Sequence, residues 1–216
     1  MPKLDEEKQR LRQENILNAA ERCFSSQGFH STSMHDICRE AGISPGTLYL
    51  YFRSKEDLIE AICERERAVF AQALTAIADA PDFMAALKQL ADTYCVEQPH
   101  SKFCFQIEVN AEALRNPAIG KTVRESDAFV IDHFKNIIEK ARAKGRIKPA
   151  ADAQVLAQIL NIIGDGVYLR RALDPAFNVK KCMDVILLLL SSAFQPVETD
   201  EASAAVPHRG EHEKVN

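Results

Sequence analysis

Residues 33–52, Ser33-Met-His-Asp-Ile-Cys-Arg-Glu-Ala-Gly-Ile-Ser-Pro-Gly-Thr-Leu-Tyr-Leu-Tyr-Phe52, hold two short helical signatures separated by a turn. Ser33 precedes Met34, Ile37, Cys38 and Ala41, apolar at helical spacing, and Gly42 closes that helix. Ser44 can cap the next one, which opens on Pro45, where a missing N–H costs nothing. A helix, an Ala41-Gly42-Ile43-Ser44 turn and a second helix make the helix-turn-helix pattern. In that pattern the second helix enters the major groove of double-stranded DNA and the first crosses the backbone.

The side chains suit this role. Ile37, Cys38 and Ile43 can form the small core between the two helices, and Leu48, Phe52 and Leu58 read as further core. Pro45, Gly46 and Thr47 put compact groups at a helix N-terminus, where backbone N–H groups favour phosphate. Gly46 permits close approach to DNA, and Thr47 offers a hydroxyl and a methyl to a base edge. Tyr49 and Tyr51 can each donate a hydroxyl to a phosphate, and Lys55 adds a phosphate contact. Arg10 and Arg12 are expected on an N-terminal arm that reaches the backbone or a minor groove.

Working outward, helical periodicity dominates the 216 residues, and no run alternates apolar and polar side chains as a half-buried strand would. Ile16, Leu17, Ala20, Cys23 and Phe24 make a stripe that stops at Gly28; Ser54-Lys-Glu-Asp57 starts a helix running to about Asp79. Five more helical stretches follow, at 82–97, 102–114, 118–144, 151–173 and 178–194. The expected fold is all-α with about nine helices. A DNA-binding domain over 1–57 precedes a regulatory and dimerisation domain over 58–196, with a loose tail at 197–216.

Lys+Arg 27 against Asp+Glu 31 gives net charge −4 and a pI near 5.9, so DNA binding must rest on where charges sit rather than on their sum. Residues 1–57 themselves carry eight basic and nine acidic side chains. The longest apolar stretch, Val185–Leu190, is too short to span a bilayer, and the N-terminus lacks an apolar export segment, so no membrane partner and a cytoplasmic location are expected. The six cysteines show no C-x-x-C and no zinc spacing; they read as reduced, mostly buried thiols, with a sensing role at Cys95 or Cys104 as the alternative. His208 and His212 lie four apart in the polar tail, and no metal or other cofactor is expected. No G-x-S-x-G, H-E-x-x-H, phosphate loop or G-x-G-x-x-G is present, which argues against an enzyme.

Ala41-Gly-Ile-Ser-Pro-Gly-Thr-Leu-Tyr-Leu-Tyr-Phe-Arg-Ser-Lys-Glu-Asp-Leu58, with Ile16–Phe24 and Gly28-Phe29 upstream, resembles the DNA-binding domain of the TetR/AcrR family of bacterial transcriptional regulators. The resemblance implies a homodimer that binds a palindromic operator and releases it when a small molecule enters the C-terminal domain. Carried over by position, it places Ser33 as the cap of the motif's first helix and His35 at a base- or phosphate-contacting position. It sets Pro45, Gly46 and Thr47 at base edges, and Tyr49, Tyr51 and Lys55 at phosphates. Leu50 departs from the larger aromatic or polar residue that many members carry there. An effector-independent regulator or an activator is the alternative.

In the C-terminal part, the segment 102–114 carries Phe103, Cys104, Phe105 and Ile107 beside Glu108, Asn110 and Glu112, a mixture suited to a mostly apolar pocket. Tyr94, Phe103, Phe105, Glu108, Phe129, His133, Asn161, Asp165 and Tyr168 are its candidate lining, and Glu108 and Asp165 would suit a cationic ligand if they face it. Gly164 and Gly166 weaken a helix interior and suggest close packing or room for a ligand. Leu156, Ile159, Leu160 and Ile163, with Val185, Leu188 and Leu189, are the candidate dimer interface, an isologous four-helix bundle.

Overall fold

Helix boundaries follow local chemistry throughout the chain, whose computed structural model describes residues 2–197. Helix α1 (Pro2–Gln27) stops at Gly28, whose φ of 81° lies in the left-handed region. Helix α2 (Met34–Ala41) begins with a capping box: the Ser33 hydroxyl accepts from Asp36 N while Asp36 accepts from Ser33 N at 2.9 Å. Gly42, with φ 66°, ends it. Ser44 caps α3 (Pro45–Tyr49), Ser54 caps α4 (Lys55–Asp79) and Asp82 caps α5 (Phe83–Ala91). Then come α6 (His100–Ala113), α7 (Pro117–Ala143, capped by Asn116), α8 (Ala153–Leu173, capped by Asp152) and α9 (Val179–Phe194, capped by Asn178). Among the described residues the one β-type pairing is an isolated bridge between Ile147 and Pro196. The fold is all-α, as expected.

Three expectations need adjustment. Arg10 and Arg12 sit on α1 itself rather than on an extended arm, and Arg10 pairs with Glu7 at 2.7 Å. The stretch expected as one helix at 82–97 is α5 followed by a π-helical turn, Asp92–Val96. The boundary expected at 57/58 falls inside α4. The tail from 198 on, with His208 and His212, lies outside the described residues.

Two large cores explain why α4 is unbroken. Ile16, Phe24, Ile37, Leu48 and Phe52 surround Leu58, Ile59 and Ile62 of α4, and the regulatory helices add Phe105, Val109 and Ile119 to this core. Farther along, Leu74 and Ile77 of α4 join Leu87, Phe134, Ile138, Leu156, Leu160, Leu190 and Phe194. Each core would lose several kcal/mol of burial if α4 were truncated there.

Glycines mark close approach in one place and space in another. A Cβ on Gly120 would lie 2.8 Å from the Ala113 carbonyl, so α6 and α7 pack at backbone distance there. A Cβ on Gly164 would meet nothing within 4 Å, which resolves the sequence alternative in favour of room. Gly120→Ala should therefore lower stability by about 1–3 kcal/mol, while Gly164→Ala should raise it by up to about 1 kcal/mol. Urea unfolding of the two variants checks the opposite signs.

Candidate nucleic-acid interface and ligand cavity

The short helix α3 is held by its own cap. Ser44 Oγ accepts from Thr47 N at 3.2 Å and lies 2.9 Å from Thr47 Oγ1, so the threonine hydroxyl already has a partner while its methyl remains available. Ser44, Pro45, Gly46, Tyr49 and Leu50 form an exposed surface, with Tyr49 at 53% and Leu50 at 83% exposure. Ser33 and His35 are also exposed. Leu48 and Phe52 are buried and Tyr51 packs half-buried against the same core, leaving Tyr49 the freer of the two tyrosines.

Lys55 corrects an expectation. Its ammonium donates to the carbonyls of Phe29 (the shorter contact) and Thr32 (2.9 Å) and stands 4.0 Å over the Phe29 ring. Burial lowers its pKa. Instead of facing a phosphate as a free cation, Lys55 pins the α1–α2 turn to α4. Arg53, two residues earlier, is the exposed cation of this segment. Sequence reasoning passed over Arg53 because the Phe29 loop that engages Lys55 is brought there by tertiary packing.

Polar contacts tie this head to the regulatory helices. On α6, Glu108 accepts from Phe29 N at 2.5 Å and the buried Glu112 lies 2.8 Å from His30 Nε2. Arg65 of α4 bridges Glu14 and Glu21 of α1 at 3.1 and 2.8 Å. Lys102 of α6 binds Glu66 of α4 at 2.6 Å and reaches Glu21 at 3.4 Å.

Between α4, α5, the π-turn and α6–α9 lies a cavity of about 250 Å³. Of the candidate pocket residues, Tyr94, Phe105, Asn161, Asp165 and Tyr168 line it, and Leu160 and Ile163 join them. Phe103, Glu108, Phe129 and His133 do not. Phe103 is fully buried behind the wall, edge-on to Tyr168 (4.9 Å) and beneath the Arg171 guanidinium (4.5 Å). Glu108 is turned to the Phe29 amide. His133 Nδ1 lies 2.8 Å from the Phe129 carbonyl, with the two ring centroids 4.0 Å apart and tilted 33° on the same helix. Glu66, Arg67, Lys102, Ser126 and Asp127 also line the cavity, although in the sequence they sit on hydrophilic helix faces indistinguishable from solvent-facing ones.

Burial sets the chemistry of the wall. The thiols of Cys63 and Cys95 are both pushed up to about 11, which makes them poor nucleophiles at neutral pH. Burial first, and the nearby Asp127 second, raise the Asp165 carboxyl from 3.8 to about 6. Burial also raises Asp127, partly offset by a hydrogen bond from Asn161. Cys104 is half-buried, 3.5 Å from His100 Nδ1. Among the described residues no three metal-ligating side chains converge, and no helix is long and apolar enough to cross a membrane.

The candidate dimer residues divide. Leu156 and Leu160 belong to the intrachain core and Ile163 is half-buried beside the cavity, because all three face inward from α8. Ile159 (39%), Val185 (57%), Leu188 (69%) and Leu189 (66%) are exposed, and Val155, Ile162, Leu169 and Leu173 extend this apolar surface.

A helix-turn-helix head locked to a cavity-bearing helical body defines a DNA-binding transcriptional regulator. The model for bacterial regulatory proteins of the tetR family matches residues 16–62, and that for the BetI-type transcriptional repressor C-terminal region matches 85–194. The Escherichia coli K12 HTH-type transcriptional regulator UidR is 32% identical over 156 residues, covering 70% of this chain and 77% of its own. This chain belongs to the tetR family. The Salmonella enterica GusR structure is similar at 29% identity, with a TM-score of 0.72 over 85% of this chain and 95% of that one. A SmeT–triclosan complex shares the fold at 21% identity, with a TM-score of 0.70 over 95% of this chain and all of that one.

Because Asp165 holds its proton more tightly when folded, its contribution to stability is present below about pH 4 and is lost as pH rises through about 6. Asp165→Asn should raise the unfolding free energy at neutral pH by about 1–2 kcal/mol, allowing for solvent screening, and leave it unchanged below about pH 4. Urea titrations at the two pH values read the difference.

Proposed function

We propose that the chain is a cytoplasmic repressor without enzymatic activity that binds a palindromic operator as a homodimer and leaves it when a small molecule occupies the cavity. One observation carries this reading: α4 and α6 line the cavity and also hold the DNA-reading head, through Leu58–Ile62 and through Glu108 and Glu112. An effector that shifts either helix changes the spacing of two paired heads, and the operator disfavours the effector-bound spacing by the same factor.

In this reading Pro45, Gly46, the Thr47 methyl and Leu50 meet bases. Leu50 supplies apolar contact to a thymine methyl. Tyr49, Ser33, His35, Ser44 and Arg53 meet the backbone, with Tyr51 at the rim, while Lys55 shapes the head from inside. The exposed apolar face of α8 and α9 pairs with its symmetry mate.

Tyr49→Ala should weaken operator binding by about tenfold with the dimer intact. Arg53→Met should reduce the salt dependence of binding by about one unit of slope, and Lys55→Met should lower stability without that change in slope. Fluorescence anisotropy against promoter fragments at several salt concentrations measures the affinities and slopes, and urea unfolding measures the stability of Lys55→Met. Leu188→Glu should yield monomers on analytical ultracentrifugation, because it places a charge in the apolar contact.

A further inference from the structure

We infer that the cavity takes an organic cation, with its charged end between Asp127 of α7 and Asp165 of α8 and its apolar body against Phe70, Tyr94 and Phe134. The inference rests on the ligand-responsive reading above and adds the chemical class of the effector.

The cavity is largely apolar and aromatic, so its few charged groups decide what it accepts. Three carboxylates lie on its wall, and their surroundings differ. Glu66 is neutralised by Lys102 at 2.6 Å and Arg65 at 3.5 Å. Asp127 has the Asn161 amide, and neither Asp127 nor Asp165 forms an ion pair among the described residues. Of the two basic groups on the wall, Lys102 pairs with Glu66 and Glu21, and Arg67 donates to Ser126 Oγ at 2.9 Å on the same wall, with no ion pair to either aspartate among the described residues. Asp127 raises the proton affinity of Asp165, and the two aspartates line a largely apolar space without an ion-pair partner among the described residues.

Space is provided beside them. Gly164, next to Asp165, leaves a volume that any side chain would begin to fill. Asp165 is the exposed member of the lining, so the charged end of a ligand can keep partial hydration there while its body enters. Farther in, Phe70 packs edge-on to Tyr94 (4.9 Å) and Phe134 (5.7 Å), a cluster that welcomes an apolar group and attracts a cation by its ring faces. An anion in the same place would meet two carboxylates of like charge.

The remaining titratable groups on the wall are Glu66, Arg67 and Cys63 of α4, Tyr94 and Cys95 of the π-turn, Lys102 of α6 and Tyr168 of α8. Burial raises both tyrosines and both cysteines. Cation affinity should accordingly climb as pH rises through about 6, where Asp165 ionises, and then level off.

Three probes with one body and different charge test the assignment: phenylbutylammonium, phenylbutanol and phenylbutyrate, titrated calorimetrically into the full-length protein. Phenylbutylammonium should bind at least about tenfold more tightly than the alcohol, with phenylbutyrate weakest. Asp127→Asn and Asp165→Asn should each erase most of that preference while leaving alcohol affinity within about threefold. Equal affinities, preference for the anion, no binding of the ammonium compound, or an undiminished preference in both variants overturns the proposal. Operator binding measured alongside separates the two readings. Release by the alcohol or the butyrate alone removes only the cation, whereas a probe that fills the cavity and leaves operator affinity unchanged removes the ligand-responsive reading itself.

Discussion

The structure depends on α4 belonging to two hydrophobic cores at once. Leu58, Ile59 and Ile62 complete the interior of the DNA-reading head, and four turns later Leu74 and Ile77 are sealed among α5, α7, α8 and α9. A helix of this kind cannot be displaced at one end without repacking at the other, because close-packed interiors resist continuous deformation. The cavity opens along the same rod, at Cys63, Glu66, Arg67 and Phe70, between the two anchored ends. Occupancy of the cavity and orientation of the head are thus mechanically linked before any specific polar contact is considered.

Polar contacts then sharpen that link. Glu108 and Glu112 lie one turn apart on α6 and grip consecutive residues, Phe29 and His30, in the turn that leads into the reading motif. Lys55 holds the same turn from the opposite side through its carbonyls. A short loop clasped by two carboxylates at its N–H and imidazole and by an ammonium at its C=O groups behaves as part of the body to which it is clasped. The network of Arg65, Lys102, Glu14, Glu21 and Glu66 extends this connection to the middle of α1.

Much of this was legible in the chain. Caps at Ser33, Ser44 and Ser54 and the stops at Gly28 and Gly42 are local signals, so the head and most helix ends could be read directly. Side-chain direction was less legible. Leu156 and Leu160 alternate with Val155 and Ile159 on one apolar helix, and only packing decides which pair is interior. Glu108 and Lys55 have the residue types expected of a ligand contact and a phosphate contact, yet each is consumed by the same distant loop around Phe29. Conversely, Asp127 lies on a charged surface-like stretch of α7, and nothing in its sequence neighbours signals that it faces a cavity.

The π-helical turn at Asp92–Val96 has a consequence for how this chain tolerates change in length. Its wider winding presents two consecutive side chains, Tyr94 and Cys95, to the cavity, and it leaves the Cys95 and Val96 carbonyls to accept from Arg171 at the end of α8. Removing one residue here would restore ordinary α-helical winding, rotate one of the two side chains off the wall and displace two of the carbonyls that Arg171 uses. Insertions and deletions should therefore be excluded from this turn in functional descendants of the protein.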